Sequence, residues 1–321
     1  MFKLVSSMFK TAPVSVIPVT REVVQKRSSL CSKLQHIYKA QIGLLSNALP
    51  RETVDRIPLL KYYTAFGQQY LDQLSELENG ELEKTEFSEE RFLALINKQL
   101  DSKVLELESI NQRITPSDLR LLDENYSKQI DAFFSHFHTN RIAASFELKE
   151  YIYPEPLLQV HDAKSVVDQA VKTTSQMLTL NDYPVPKFKQ VSAVDGDLSV
   201  YCIAPHVVHI MFELFKNATL PSITHGKPIL ISIYGEEADP STIVFKIKDN
   251  GGGMPPSMVK KIWQFHYTTT QDNERDPIHG FGMGLPLCKV FAEFNDGSLT
   301  LVNEEGDGVT VYLKLPRGVR K

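Results

Sequence analysis

Residues 207–217 read VVHIMFELFKN, and the spacing of the apolar residues in this stretch predicts a helix. One broad face of that helix would be apolar and would consist of Val207, Ile210, Met211, Leu214, Phe215 and Ala218. His209, Glu213 and Asn217 recur every four residues and would form a polar stripe on another face. Lys216 lies beside that stripe. The stripe is either the solvated face of an amphipathic helix, or a set of groups that deprotonates a nucleophile and holds a divalent cation through oxygen atoms.

A second motif follows a predicted strand. Residues 243–249, IVFKIKD, alternate between apolar and polar side chains until the last position, which places Asp249 on the side of the buried residues. A carboxylate on a core-facing position is costly unless it has a partner. Gly251 and Gly253 belong to a run of glycines in which the chain can turn and approach a ligand closely. Asp249 could therefore accept a hydrogen bond from the amino group of a purine.

A third motif opens another predicted helix. Residues 280–286 read GFGMGLP, and helical apolar spacing continues from there to Phe294, with Pro286 near the first turn. Glycines that open a helix leave backbone N–H groups free for phosphate oxygens. A single glycine triplet is more often a turn than a binding site, so the specificity lies in the order of the three motifs.

Together the motifs resemble the signature of the GHKL ATP-binding fold, shared by gyrase, the ninety-kilodalton heat-shock chaperone, sensor histidine kinases and MutL. That signature is E-x-x-x-N on a helix, then D-x-G-G-G, then G-x-G-x-G-L-P. The nearer resemblance is to the mitochondrial kinases that phosphorylate the pyruvate and branched-chain 2-oxo acid dehydrogenases. Residues 209–218 are similar to the asparagine box of these kinases, residues 279–286 to their second glycine box, and residues 266–270 to the start of their ATP lid.

The resemblance implies a role for each of these residues. Glu213 would be the general base on a substrate serine, His209 would tune the basicity of that carboxylate, and Lys216 would complete the catalytic set. Asn217 would bind Mg²⁺ through its side-chain oxygen, and Asp249 would recognise adenine. The other residues expected around ATP are Gly251, Gly253, Thr268, Thr269, Gly280, Phe281, Gly282, Met283, Gly284 and Leu285.

The chain also departs from the kinase pattern. Leu220 and Val309 stand where the family usually has an arginine and a threonine, although Thr310 follows the second of these positions. Ser145 stands where an arginine helps the family bind a small carboxylate effector. Few residues follow the last predicted strand, so we do not expect the long tail with which pyruvate dehydrogenase kinases cross-dock. These features leave the choice between the two dehydrogenases open.

Composition limits the class of protein. The 321 residues are 42% hydrophobic and 23% charged, which is typical of a globular protein of about two domains. The net charge of −4 gives no reason to expect nucleic acid or an acidic membrane as a partner. Three scattered cysteines without metal-ligand spacing indicate a reduced compartment. No run approaches about 18 consecutive apolar residues, so we expect no membrane span.

The chain is predicted to have four segments. Residues 1–28 are basic, rich in hydroxyl groups and nearly free of acids, as in a mitochondrial transit peptide, although a plain disordered tail has the same composition. Residues 29–150 carry long apolar stripes, notably at 57–77 and 92–114, which predict an up-and-down helical bundle. Residues 151–162 contain two prolines and are predicted to be a linker. Residues 163–321 would form the ATP-binding domain, with a helix predicted at 163–180 and strands predicted at 243–249 and 309–315.

His138 raises an alternative function, because sensor histidine kinases carry a phospho-accepting histidine on a helix before the ATP domain. The H-E-x-x-x-P acceptor pattern is absent, since Thr139 follows His138 and no proline comes within five residues. Arg141 and Ile142 instead fit the F-x-x-S-R-I motif of the 2-oxo acid dehydrogenase kinases. We therefore interpret His138 as a surface residue of the bundle.

Together, the sequence and the resemblance predict an α+β protein in which a helical bundle precedes a GHKL (Bergerat) α/β-sandwich domain that binds ATP and Mg²⁺. The expected activity is a protein-serine kinase of the mitochondrial matrix. Its substrate would be the decarboxylase alpha subunit of a 2-oxo acid dehydrogenase complex, with pyruvate dehydrogenase slightly preferred over the branched-chain enzyme. Expected partners are that complex, including the lipoyl domain of its acyltransferase, and a second copy of the chain. A histidine kinase is the more remote alternative.

Overall fold

The chain divides into two compact units, and the boundary falls between Pro156 and Leu157. A computed structural model describes residues 20–48, 92, 124–190, 198–265, 267 and 282–318. Apart from Phe92, the apolar stripes predicted at residues 57–77 and 92–114 lie outside these ranges. The mixed helix and sheet content agrees with the predicted fold class, with helices in the N-terminal unit and a sheet in the C-terminal unit.

The described part of the N-terminal unit is built on two long helices that pack against each other, α1 (Arg21–Ala48) and α2 (Glu124–Ile152). Their buried side chains recur at helical spacing, as amphipathic helices require: Leu30, Cys31 and Leu34 on α1, and Phe133, Phe134 and Phe137 on α2. At the surface, Lys33 Nζ lies 2.7 Å from Glu147 Oε2 and links the two helices.

Helix α1 begins inside the segment that we predicted to be a transit peptide. Its first turns contain Arg27, which is fully buried, with its guanidinium carbon 5.1 Å from the centre of the Phe92 ring. The Phe92 ring in turn packs edge-on against Tyr151. An arginine held over an aromatic face in the interior belongs to the packed core of the unit. Residues 21–28 are therefore part of α1 in this structure.

The surface position predicted for His138 is wrong. Its imidazole is only 3% exposed and lies on α2 against the rings of Phe134 and Phe137, with ring centres 6.4 and 5.4 Å away. The apolar face of α2 includes this position, which the sequence pattern assigned to the solvent side. A phosphate acceptor has to reach a nucleotide held elsewhere, and a ring packed in this way does not present its nitrogens for that reaction.

The C-terminal unit contains a sheet covered by helices. Its described elements in chain order are β1 (Gln159–Asp162), α3 (Ala163–Leu180), β2 (Phe188–Gln190), β3 (Ser199–Cys202), α4 (Ala204–Thr224), β4 (Ile229–Gly235), β5 (Thr242–Lys248), α5 (Pro256–Val259), a single 3₁₀ turn (Lys261–Trp263), α6 (Gly284–Phe294), β6 (Ser298–Glu304) and β7 (Gly308–Pro316). Strand β1 lies within the segment that we predicted to be a linker.

Five of these strands form one sheet in the order β2-β4-β5-β7-β6. Strand β2 is parallel to β4, and the other neighbours are antiparallel. Strands β1 and β3 form a small antiparallel pair, and a bridge from Val200 to Arg317 connects that pair to the end of the chain. Strand β5 runs in the middle of the sheet and ends immediately before Asp249. The end of this strand therefore sets the position of the Asp249 carboxylate.

One core fills the space between the sheet and the helices. Ile243, Phe245 and Ile247 of β5 point into it, as their alternation predicts. Helix α4 packs against α3, α6 and strand β4, and its side chains are buried on nearly every side. A helix that is surrounded in this way has no solvated face. Within the described residues, no helix combines the length and the apolar character needed to cross a bilayer.

Asn295 fixes the position of α4 relative to α6. Its buried side-chain oxygen accepts a hydrogen bond from the N–H of Ile203, which immediately precedes α4, at 2.8 Å. Its side-chain nitrogen donates to the carbonyl of Phe291 in α6 at 2.7 Å. The first interaction gives a partner to the N–H that precedes α4, and the second adds to the main-chain hydrogen bond that the Phe291 carbonyl accepts from the N–H of Asn295. The end of α6 is therefore attached to the start of the helix that carries the polar stripe.

Candidate functional site

The polar side chains of α4 are not a solvated helix face. His209, Glu213 and Lys216 are 6%, 3% and 3% exposed, whereas Asn217 at the end of the stripe is exposed. Glu213 and Lys216 form an ion pair with 2.6 Å between Lys216 Nζ and Glu213 Oε2. Burial of both charges is expensive unless each is paired, so the close ion pair is what makes this arrangement possible. Of the two interpretations of the stripe, burial favours the chemical one.

The negative charge of Glu213 affects the pKa of two nearby groups, His209 and Cys288. Burial lowers the pKa of His209, although the negative charge of Glu213 opposes that effect, and the imidazole is therefore neutral at neutral pH. The ring packs edge-on against Phe291 of α6, with 5.1 Å between ring centres. Burial also raises the pKa of the Cys288 thiol well above its ordinary value, and Glu213 adds to that rise. The carboxylate of Glu213 thus faces the side of α4 against which α6 packs.

A cavity of about 320 Å³ opens beside these groups. Most of the described residues that we predicted for the site line it, namely Glu213, Lys216, Asn217, Asp249, Gly251, Gly253, Gly282, Gly284 and Leu285. Apolar side chains complete its walls, among them Met254, Met258, Ile262, Leu301 and Val311. Three motifs that are separated by up to about seventy residues along the chain therefore meet at a single concave site of the kind that binds small ligands.

The other predicted site residues have different outcomes. His209 and Met283 do not line the cavity; His209 lies in the core, and the carbonyl of Met283 accepts the N–H of Leu287 at 3.0 Å in the first turn of α6. Thr268, Thr269, Gly280 and Phe281 fall outside the described residues. Of the segment predicted to open an ATP lid, residues 266–270, the structure describes Tyr267, and this residue lines the cavity.

Asp249 is almost fully buried, with 9% of its surface exposed. Its Oδ1 accepts hydrogen bonds from the main-chain N–H groups of Gly251 at 2.9 Å and Val309 at 3.3 Å. Burial raises the pKa of Asp249 in spite of these two bonds, which act in the opposite direction. Because both bonds use Oδ1, the other carboxylate oxygen is left to accept a hydrogen bond from a ligand in the cavity.

Gly284 allows the start of α6 to lie directly against the carboxylate of Glu213. A Cβ atom at this position would come within 2.5 Å of Glu213 Oε2, so a larger residue would displace the carboxylate. The N-terminus of a helix carries unpaired N–H groups and a partial positive charge, both of which favour anions. Close packing at Gly284 therefore brings the carboxylate of Glu213 and the anion-binding end of α6 to the same part of the cavity.

Sequence reasoning missed two residues that shape the site, Gly308 and Asn303. A Cβ at Gly308 would collide with the main-chain oxygen of Asp249, so a glycine is needed where β7 begins. The side chain of Asn303 on β6 bonds to the main chain of Met254. Glycines and acidic residues around Gly308 signal a hairpin turn, but no sequence signal reveals that the hairpin packs against the loop that follows β5.

The structure shows the surroundings of two of the departures from the kinase pattern, Leu220 and Val309. Leu220 packs with Met177, Leu178 and Phe212 in a small apolar cluster. Val309 lines the cavity at the position where the family usually has a threonine, and its neighbour Thr310 is buried and pairs in register with Lys248. Adjacent residues of a strand point to opposite faces. Thr310 therefore does not supply the missing hydroxyl group to the cavity.

The fold and the cavity define the class of this domain. Residues 202–319 match the family described as histidine kinase-, DNA gyrase B-, and HSP90-like ATPase. Residues 202–319 of the C-terminal unit thus match a GHKL ATPase domain, as the three motifs predicted.

The more specific resemblance, to mitochondrial pyruvate dehydrogenase kinases, is also confirmed. The chain is 28% identical to the mitochondrial pyruvate dehydrogenase (acetyl-transferring) kinase isozyme 4 of Homo sapiens, over 61% of this chain and 54% of that protein. It is 30% identical to a probable mitochondrial kinase of the same kind from Caenorhabditis elegans, over 58% and 53% of the two chains. With isozyme 3 of Homo sapiens the identity is 26%, over 60% and 54%. The chain spans about half the length of these curated relatives.

Proposed function

We propose that the chain is an ATP-dependent protein-serine kinase of mitochondrial 2-oxo acid dehydrogenase complexes. It would transfer the γ-phosphate of ATP to a serine of the decarboxylase alpha subunit and so inactivate the complex. Pyruvate dehydrogenase is slightly preferred as the substrate, and the branched-chain enzyme is the alternative. The observation that carries the proposal is the meeting of the Glu213–Lys216 ion pair, the exposed Asn217 and the buried Asp249 in one cavity.

The cavity fits a purine nucleotide. Its volume of about 320 Å³ is at the lower end of the range typical of small-molecule pockets, roughly 300–1,000 Å³. The free oxygen of Asp249 would accept a hydrogen bond from the adenine amino group, and Met254 and Val309 would offer apolar surface to the base. The N-terminus of α6 at Gly284 would receive phosphate oxygens on its free N–H groups. The adenine base, the phosphates and the reacting end of the nucleotide would thus each face a part of the cavity wall that carries suitable groups.

Asn217 is suited to hold Mg²⁺ because it is the exposed polar residue of α4 at the cavity, and its amide oxygen is a hard ligand. When bound, the ion would neutralise charge on the phosphates and orient them. A single protein ligand is sufficient for this arrangement, because Mg²⁺ normally keeps several water molecules and takes phosphate oxygens for the rest of its shell.

Glu213 would accept the proton of the substrate serine. The carboxylate is held at the cavity wall by Lys216 on one side and by the close approach of Gly284 on the other. The ammonium group of Lys216 would compensate negative charge in a site from which water is excluded, where electrostatic interactions are strong. Burial lowers the pKa of His209, so this neutral neighbour of Glu213 contributes no competing positive charge.

The names of the relatives support the remaining parts of the proposal in coarse form. These names specify mitochondria and pyruvate dehydrogenase, and they support a mitochondrial location and the dehydrogenase complex as partner; the matrix as the compartment is part of the proposal. Contacts with the decarboxylase alpha subunit, with the lipoyl domain and with a second copy of the chain belong to the proposal.

The test is to incubate the purified chain with Mg-ATP and, separately, with the pyruvate and the branched-chain dehydrogenase complexes. We expect phosphoserine on the alpha subunit of one decarboxylase, with loss of activity of that complex, and mapping by mass spectrometry identifies the site. A base-stable, acid-labile phosphate on the chain itself would instead identify a histidine kinase. Hydrolysis of ATP without any protein phosphorylation would identify an ATPase and contradict the proposal.

The raised pKa of Asp249 predicts how nucleotide binding depends on pH. Only the ionised carboxylate accepts a hydrogen bond from the adenine amino group well. The affinity for nucleotide should therefore be highest above the pKa of Asp249 and should fall as the pH drops through that pKa. Because burial raises that pKa above its ordinary value, the loss should begin at a higher pH than for an exposed aspartate. Titration of Mg-ADP against the protein between about pH 5 and 8 measures the effect, within the range where carboxylates with raised pKa titrate.

The control is Asp249→Asn, which removes the titrating group but not the titration of the nucleotide phosphates. This variant should bind more weakly, and its affinity should keep only the pH dependence of the phosphates. An identical pH profile for the variant and the original chain would show that Asp249 does not contact the base as an anion.

A further inference from the structure

The loop that carries Asp249 is attached to the hairpin between β6 and β7 by its main chain. Gly252 donates its N–H to the carbonyl of Asp307 at 3.2 Å, and the carbonyl of Gly252 accepts the N–H of Gly306 at 2.8 Å. Asp249 donates its own N–H to the carbonyl of Val309 at 3.0 Å. The loop therefore runs alongside the hairpin from Asp249 to Gly252 and depends on it for its main-chain hydrogen bonds.

Beyond Gly252 the attachment is made by one side chain, that of Asn303. Its Oδ1 accepts the N–H of Met254 at 2.8 Å, and its Nδ2 donates to the carbonyl of the same residue at 2.8 Å. The side-chain amide thus satisfies both main-chain groups of Met254, as a neighbouring strand would do. The next residue, Pro255, has no N–H with which to extend such pairing, so Asn303 marks the end of the attached segment.

Asn303 is also the cross-strand partner of Val309, the residue whose N–H bonds to the carboxylate of Asp249. The two residues lie opposite each other in the β6–β7 pair. Met254, which Asn303 holds, and Val309 both line the cavity. A single cross-strand pair therefore bonds to both ends of the loop that would contact the base.

We propose that Asn303 is a positioning residue that sets the base-binding wall of the cavity. It acts through Met254, without touching the ligand, and keeps residues 249–254 in the conformation that places the Asp249 carboxylate in the cavity. The inference rests on the proposed nucleotide-binding function and adds a determinant of affinity to it. A loop that is already ordered before binding costs less to order during binding, so loss of Asn303 should weaken the nucleotide complex.

The experiment compares the full chain with Asn303→Ala and Asn303→Asp. Alanine removes both bonds to Met254, whereas aspartate keeps the acceptor and places a carboxylate against the Met254 carbonyl. Asp307→Asn is the matched control, because it removes the ion pair between the side chain of this hairpin residue and Lys248 of β5, and it leaves the main-chain carbonyl of Asp307 and the contacts of Asn303 intact. Isothermal titration with Mg-ADP gives affinity, and hydrogen–deuterium exchange of peptides covering residues 251–258 reports the loop without any nucleotide.

For both Asn303 variants we expect faster exchange in these peptides. The affinity for Mg-ADP should fall about tenfold in Asn303→Ala, the size expected from the loss of two hydrogen bonds, and should also fall in Asn303→Asp, which loses one bond and sets a carboxylate against the Met254 carbonyl. The Asp307→Asn control should leave both readouts unchanged. Unchanged exchange in Asn303→Ala would overturn the proposal, and so would faster exchange with unaltered affinity, or an equal loss of affinity in Asp307→Asn. If the original chain bound no adenine nucleotide, the proposed function would fail, while the exchange measurement would still decide whether Asn303 holds the loop.

Discussion

Replacement of Glu213 by glutamine should lower the rate of phosphoryl transfer by about 10²–10⁴-fold, the usual contribution of a general base, and should leave the affinity for Mg-ATP nearly unchanged. Glutamine has almost the same shape and still offers an oxygen to Lys216 Nζ, which lies 2.6 Å from the carboxylate. The substitution therefore removes the proton acceptor and keeps a hydrogen bond to the buried Lys216, but it also removes the counter-charge of that lysine, which costs up to about 3–5 kcal/mol of fold stability and is measured by thermal unfolding of the variant.

Two measurements on each variant test this role. Transfer of the γ-phosphate to the dehydrogenase complex gives the rate, and calorimetry gives the dissociation constant for Mg-ATP. Glu236→Gln is the matched control, because Glu236 pairs with Lys314 on the sheet away from the cavity and its loss should affect neither quantity. Equal losses of transfer and of binding in Glu213→Gln would show that the carboxylate supports the site structurally and does not act as a base.

The second large effect should come from Asn217→Ala. Removal of the proposed metal ligand should weaken Mg-ATP binding by at least roughly 10–100-fold, the size of effect reported even for groups that merely support a metal ligand. The side chain is exposed at the cavity, so its truncation leaves no buried polar group without a partner. A loss of affinity in this variant would therefore reflect the site, and the stability of the fold should be little changed.

Calorimetry with and without Mg²⁺ separates the metal from the nucleotide. In the presence of EDTA, Asn217→Ala and the original chain should bind ATP equally weakly, whereas only the original chain should gain affinity when Mg²⁺ is added. Asn181→Ala provides a control, because Asn181 is an exposed asparagine whose side chain donates to the carbonyl of Met177 at the end of α3. An unchanged Mg²⁺ dependence in Asn217→Ala would exclude a role as metal ligand.

Much of the C-terminal unit could be derived from local pattern. The helix predicted at residues 163–180 has these bounds in the structure, and the helix predicted after the second glycine box ends at Phe294 as expected. The strands predicted at residues 243–249 and 309–315 are β5, which ends one residue earlier at Lys248, and β7. These elements are periodic in the sequence, and their periodicity follows from the same burial that forms the core. Glycines at their ends marked the cavity because neighbouring segments of the chain approach there so closely that a Cβ has no room.

The amino-acid sequence by itself determined which residues share a helix face or a strand face, and therefore which motifs could form a nucleotide site. The tertiary structure alone decided what covers each face. It buried Glu213 and Lys216 as an ion pair, turned Thr310 away from the cavity, and placed Asn303 against Met254. The physical reason is that periodicity is a property of one element, whereas burial, charge pairing and cross-strand contacts arise only when separate elements pack together.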